Sequence, residues 1–365
     1  MTEITEQFWR GKRVFLTGHT GFKGSWLALW LDRLGADVFG FALAPPTVPS
    51  LFEVAKIKML LRSSTLADIR DAAAVERALR AADPDIVIHM AAQSLVRPSY
   101  AAPLETFSVN VMGTAHVLEA ARRCPGIRVV VVVSSDKCYE NTAKQRPYRE
   151  IDPMGGHDPY SASKGCAELL TASYAHSFFK QDDGDGDTRC TVASARAGNV
   201  IGGGDWSIDR IVPDFFRSVT AGKALLVRNP DAVRPWQHVL EPLGGYLLLA
   251  ERIAQEGRTL CGGWNFGPDR ASCWPVAAVV ERLVSLWGSG ARWQHEAGEP
   301  HQREAAYLSL DSEKARRELG WRPRWSLDEA LDRTVAWAKA YAAGADMGNV
   351  CRAEIEHYTA SVAVH

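Results

Sequence analysis

Five short apolar runs set the terms on which this chain can fold: Arg13 to Thr17, Asp37 to Ala42, Asp85 to Met90, Arg128 to Ser134 and Cys190 to Ala195. They lack the alternate polar residue of a strand with one wet face, so they predict strands buried on both sides. Helical segments such as Trp26 to Leu34 lie between them. Buried strands alternating with helices predict an α/β fold, a Rossmann-type doubly wound parallel sheet.

Between the first strand and the first helix stands Gly18-His19-Thr20-Gly21-Phe22-Lys23-Gly24. Glycines at Gly18, Gly21 and Gly24 let backbone approach a pyrophosphate, and the helix that opens at Phe22 turns its amino end toward that charge. This predicts a dinucleotide site. The carboxylate expected at the end of the second strand, which would bind the adenosine ribose, is missing, because the chain reads Phe41-Ala42-Leu43-Ala44-Pro45. No arginine stands there for a 2′-phosphate either, which favours NAD over NADP, with a loose grip. Asp68 and Ile69 are candidates for the adenine edge and face, and Ala91-Ala92-Gln93 for close backbone approach beneath the cofactor. After about residue 196 the chain becomes irregular and rich in Gly, Pro and Trp. The expected division is a dinucleotide-binding domain over 1–195, rejoined by an apolar helix near 240–254, and a smaller interleaved C-terminal lobe over 196–365 for the substrate.

The second informative stretch is the end of the fourth run, Ser134-Ser135-Asp136-Lys137, followed later by Tyr160-Ser161-Ala162-Ser163-Lys164. A Tyr and a Lys four apart share one helix face, so the ammonium can favour the deprotonated phenol. Such a phenol can take a proton from a hydroxyl. Ser135, Asp136 and Lys137 sit where open α/β sheets hold ligands, adding an acid and a candidate second base.

Composition excludes several other functions. With 42 basic and 43 acidic residues interspersed over 365, net charge is −1 and no polyanion-binding surface is implied. The first ten residues are polar, and no apolar run approaches the roughly 18 needed to cross a bilayer. Seven scattered cysteines without a CxxC pair suit a reducing cytoplasm and argue against zinc. Gln181 to Asp187 has the acidic look of a calcium loop, but Thr188 and Ser194 occupy the places of its glycine and its bidentate glutamate. His301 and Glu304 lack companion ligands. No metal is expected.

Together these residues resemble the extended short-chain dehydrogenase/reductase family that modifies nucleotide sugars, and within it the 4,6-dehydratases of the CDP-glucose branch. The similarity is carried by GHTGFKGSWLALWL, HMAAQSLVRPSY, SSDKCYEN, MGGHDPYSASKGCAELL, RAGNVIGGGDW and RPWQHVLEPL. It implies NAD-dependent oxidation at C4 of the sugar, loss of water across C5 and C6, and reduction at C6, in a pathway to deoxysugars of the lipopolysaccharide type. By the same resemblance Tyr160 is the base for the C4 hydroxyl, Ser135 bonds the C4 oxygen, Asp136 protonates the departing C6 oxygen, and Lys164 orients the nicotinamide ribose. Many related dehydratases carry Glu after the catalytic Asp. Lys137 stands there instead, which leaves the C5 base open among neutral Lys137, a water it holds, or Tyr160. Ser94, Asn199, Arg210 and Tyr307 match substrate contacts, and Arg234 matches an arginine on the diphosphate, where a planar guanidinium can bond two oxygens. Two other functions remain in view, a 4-epimerase and a non-catalytic dinucleotide sensor. The resemblance also implies a homodimer or a dimer of dimers, built on helices around Leu104 to Arg122 and Tyr160 to Phe179.

Overall fold

The computed structural model describes residues 3–141, 146–179, 190–296 and 308–361. Seven strands form one parallel sheet, in the spatial order Gly262–Asn265, Thr191–Arg196, Val129–Val133, Ile86–His89, Arg13–Thr17, Asp37–Ala42, Ser63–Leu66. All neighbours run parallel, and Thr17 pairs with both Phe41 and His89. The chain reverses its direction of winding at that strand, so the carboxyl ends of Arg13–Thr17 and Ile86–His89 flank the crevice where such sheets bind ligands.

The pleat explains the continuous apolar runs. Val14, Leu16, Val129, Val131 and Val133 face one core, which they share with Trp26, Trp30, Leu243, Leu247 and Tyr358. Phe15, Val130 and Val132 face the other, with Val75, Leu79, Val117 and Leu118. Each side of the sheet is thus covered by helices. The helix Leu240–Glu256 rejoins the first of these cores. So does the C-terminal helix Met347–Ala360, which the sequence reading did not place: its Tyr358 ring meets Trp30 edge-on at 5.5 Å.

The remaining chain builds a smaller layer. Strands Asn199–Ile201, Val233–His238 and Cys273–Pro275 form a three-stranded sheet, and Leu225–Val227 pairs with Trp293–His295. Phe215, Val279, Leu283, Leu331 and Val335 close its core against the helices Ile211–Thr220, Val276–Trp287 and Leu327–Ala342. Among the described residues no helix is long and apolar enough to cross a membrane. Gln181 to Asp187, His301 and Glu304 lie outside the described residues.

Candidate active site

Thr17 ends its strand by accepting the backbone N–H groups of Met90 and Ala91 on its hydroxyl, each at 3.0 Å. That draws the 90–93 loop against the glycine turn. Gly18 follows with φ +78°, and a Cβ there would stand 2.9 Å from Ala91 N. A Cβ on Gly24 would lie 2.1 Å from Gly18 O, inside any real contact. The turn therefore exists only with glycine at both places. Gly21 precedes the Phe22–Arg33 helix without any side-chain cap, so the first N–H groups are left for a ligand. An open helix end beside a tight glycine turn fits the pyrophosphate of a dinucleotide.

The adenosine end departs from the usual pattern. Leu43, near the place of the missing carboxylate, is 58% exposed. His19 fills space beneath it, bonded through Nε2 to Ser64 Oγ at 2.8 Å and packed where a Cβ on Gly40 would be 2.6 Å from its ring. Burial holds this imidazole down at about 4, against a smaller upward pull from the Phe41 backbone, so it is neutral at pH 7. Asp68 accepts from Arg70 N, Nε and Nη2, and that arginine keeps its carboxyl below the ordinary range. Ile69 is buried against Gly113, where a Cβ would approach its Cγ2 to 2.7 Å.

The candidate catalytic residues Ser135, Asp136 and Lys137 follow the carboxyl end of Val129–Val133. Asp136 N donates to Ala197 O at 3.1 Å, which draws a short 3₁₀ turn, Asp136–Cys138, inward from the strand. Ser135 caps the turn, accepting from Lys137 N at 3.2 Å and donating to Asp136 Oδ1 at 3.1 Å. Asp136 is 2% exposed, its Oδ2 has no hydrogen-bond partner, and a Cβ on Gly198 would lie 2.8 Å from that oxygen. Burial raises its pKa, opposed by Lys137, the Ser135 hydroxyl and Arg234. A desolvated carboxyl with one unpartnered oxygen holds its proton more tightly than a carboxyl in water.

Tyr160 opens the helix Pro159–Ser177, which Asp158 caps through Ser161 N at 2.9 Å and Pro159 starts at the first position. Ser99 Oγ accepts Tyr160 N at 3.1 Å, and Asn110 Nδ2 donates to Ser163 Oγ at 2.8 Å and to Gln93 O at 2.9 Å. Asn110 thereby ties the 90–93 loop to the Pro159–Ser177 helix. Lys164, one helical turn further on, donates its Nζ to Val133 O at 3.4 Å. Burial pushes the Tyr160 phenol up to about 12, with Ser135 and Arg210 pulling down and Asp136 pushing up. Lys164 is lowered to about 8, again by burial, with Glu168 opposing.

With the exception of Tyr307, which lies outside the described residues, every residue nominated from the sequence lines one cavity of about 1330 Å³ between the sheet and the smaller layer. Ser94 Oγ accepts from Arg210 Nη2 at 3.4 Å, Arg210 Nη1 is paired with Asp205 at 2.8 Å, and Arg234 projects from Val233–His238. Asn199 begins the short strand beside it. The sequence reading passed over Lys23, which sits inside the glycine motif it quoted. Lys23 Nζ donates to Tyr246 OH at 3.0 Å, and burial beside Lys164 and Arg210 lowers it to about 7. It also passed over Arg97, Asp209 and Arg228, which line the same cavity.

The chain is 51% identical to CDP-glucose 4,6-dehydratase of Salmonella typhimurium, over 97% of this chain and 98% of that one. It is 30% identical to dTDP-glucose 4,6-dehydratase of Streptomyces antibioticus, over 74% of each. The structure of dTDP-glucose 4,6-dehydratase DesIV from Streptomyces venezuelae with NAD and TYD bound superposes with a TM-score of 0.73 at 25% identity, covering 91% of this chain and 98% of that one. UDP-glucose 4-epimerase of Thermotoga maritima, at 23% identity and a TM-score of 0.76 over 90% and 99%, shares the fold. The model of the GDP-mannose 4,6 dehydratase family matches residues 15–334, from the first strand of the large sheet to the last helix of the smaller core, and the chain belongs to that family.

Proposed function

We propose that this chain dehydrates CDP-D-glucose to CDP-4-keto-6-deoxy-D-glucose. The observation that carries the reading is Asp136: a buried carboxyl, raised in pKa and with one oxygen lacking a hydrogen-bond partner, lines the same cavity as the Tyr160 phenol. Hydroxide is a poor leaving group, so loss of the C6 oxygen needs such an acid. A 4-epimerase has the phenol but no C6 leaving group, and gives Asp136 nothing to protonate. The 51% identical Salmonella relative supports the CDP-sugar over other nucleotide sugars.

NAD, held at Gly18, Gly21, Phe22, Gly24, Asp68, Ile69 and the 91–93 backbone, with Tyr160 and Lys164 at its nicotinamide end, supplies the oxidation of C4 and the later reduction of C6. Tyr160 Oη takes the proton of the C4 hydroxyl while Ser135 Oγ bonds the C4 oxygen. With C4 a ketone, the C5 proton is acidic and passes to Lys137, to a water it holds, or to Tyr160. Asp136 donates its proton to the C6 oxygen as it leaves. Lys164 keeps its positive charge at neutral pH, since a lysine at about 8 is still mostly protonated there. Arg210 and Arg234 hold the diphosphate, with Ser94, Asn199 and Tyr307 as further substrate contacts. Incubation with CDP-glucose and NAD should yield a 4-keto-6-deoxy sugar, read by its alkali-induced absorbance. Recovery of CDP-galactose instead would replace this reading with the epimerase.

The assembly we propose is a homodimer. Leu104 is 85% exposed and Met112 50% exposed on one helical stretch, and Leu169 61% exposed on the neighbouring Pro159–Ser177 helix. Apolar side chains clustered on adjacent helices mark a contact surface. Light scattering at micromolar concentration should give twice the chain mass, and Leu104→Glu combined with Leu169→Glu should give the single chain. A wild-type monomer under those conditions ends the proposal.

A further inference from the structure

Asp209 is shared between two arginines of different lobes. Arg97, on the short helix Val96–Ala101 beyond the large sheet, donates to Asp209 Oδ1 at 2.9 Å. Arg228, just past the strand Leu225–Val227 of the smaller layer, donates to the same oxygen at 3.2 Å. Asp209 adopts φ +59°, a left-handed conformation that aspartate tolerates better than most residues. The adjacent Arg210 is turned to Asp205 and Ser94. The segment 205–210 thus lies between the lobes with guanidinium groups meeting it from both.

The local charges do not balance. Arg97, Arg210 and Arg228 line the cavity with Asp205, Asp209 and Asp214, while Arg234 interacts with the Asp136 charge. Asp205 is committed to Arg210, and Asp214 to Arg217. Glu296 stands 4.0 Å from Arg228 Nε, at the limit of an ion pair. One carboxylate oxygen therefore serves two guanidinium groups, each of which has five N–H donors. The side chains of Arg97, Asp209 and Arg228 are 46%, 31% and 31% exposed, so water competes with both pairs and neither is strong.

We propose that Arg97 and Arg228 are further ligands of the nucleotide-sugar diphosphate, and that Asp209 is the counterion this diphosphate displaces. The proposal rests on the nucleotide-sugar reading given above. Each phosphate of a diphosphate ester carries one negative charge and offers oxygens in the fork geometry that a guanidinium matches, which a single shared carboxylate oxygen does not. On arrival of the diphosphate, Arg97 and Arg228 exchange Asp209 Oδ1 for phosphate oxygens beside Arg210 and Arg234. The substrate then takes over the link between the lobes.

Calorimetric titration of CDP and of CMP into the NAD-loaded protein at low salt tests this. Arg97→Gln should weaken CDP by about tenfold, the scale of a lost hydrogen bond to a charged group, and CMP by clearly less. Arg228→Gln should act in the same direction. Asp209→Asn should tighten CDP by about threefold or more, because the competing charge is gone. Unchanged NAD affinity in each variant shows that the fold is intact. CDP affinity within about twofold of wild type in Arg97→Gln would overturn the proposal, as would weakening in Asp209→Asn, which would make the carboxylate a device for placing the arginines. Failure of the wild-type protein to bind CDP at all would instead remove the nucleotide-sugar reading on which the proposal stands.

Discussion

Asp136→Asn should lower dehydration of CDP-glucose by about 10²-fold or more, the usual scale for a lost general acid. The substitution is close to isosteric, and the carboxyl oxygen Oδ2 has no protein partner to lose, so the fold should survive. What is lost is the proton. Replacing the C6 hydroxyl by fluoride, a leaving group that departs without one, should restore much of the elimination in Asp136→Asn. The pH profile carries the same information: because burial raises the Asp136 pKa, the acid form persists above the ordinary carboxylate range. Activity should therefore fall as pH rises through that raised value, and this alkaline fall should vanish with the fluoro substrate. Full dehydration activity in Asp136→Asn would remove it as the acid.

Tyr160→Phe should be at least as damaging and should fail differently. The phenol is 7% exposed, and its ring fills space that phenylalanine also fills, so stability should change little. Without Oη no group takes the C4 hydroxyl proton, no ketone forms, and the C5 hydrogen never becomes acidic. Loss of about 10²- to 10⁴-fold is expected in product formation and equally in exchange of C5 hydrogen with deuterated water. Fluoride at C6 should give no rescue, since the block precedes the leaving group. Exchange at C5 proceeding normally in Tyr160→Phe would assign C4 deprotonation to another group.

The reach of the sequence follows from what each residue depends on. Strands buried on both faces write themselves as apolar runs, so Val129–Val133 could be read from its residues alone. Ser135, Asp136 and Tyr160 stand at the ends of such elements, where position along the chain is nearly position in space. Gly262–Asn265 could not be read this way: Gly-Gly-Trp-Asn has no β-branched run, and its place comes from pairing with Ala193 to Arg196. The contact between Arg97 and Asp209 joins residues far apart in the chain and leaves no local pattern. The setting of the Tyr160 phenol was also hidden. Helix spacing gives the direction of Lys164, but the reach of its side chain to Val133 O depends on where the strand ends.

The late strand bears on how the protein comes into being. Until Gly262–Asn265 has been synthesised, Thr191–Arg196 is the edge of the sheet, with a row of unpaired backbone groups open to other chains. The helices Leu240–Glu256 and Met347–Ala360, which cover one face of the sheet, also emerge late. Asn265 then locks three distant segments together, accepting Tyr139 OH at 2.7 Å and donating through Nδ2 to Tyr148 O and Asp311 O at 2.9 and 3.0 Å. A nascent chain that has only just completed Tyr160 and Lys164 has one face of its sheet still largely uncovered. Long-range closure of this kind is slow and exposes apolar surface meanwhile, so the burden on chaperones during synthesis falls on the interval between residues 196 and 360.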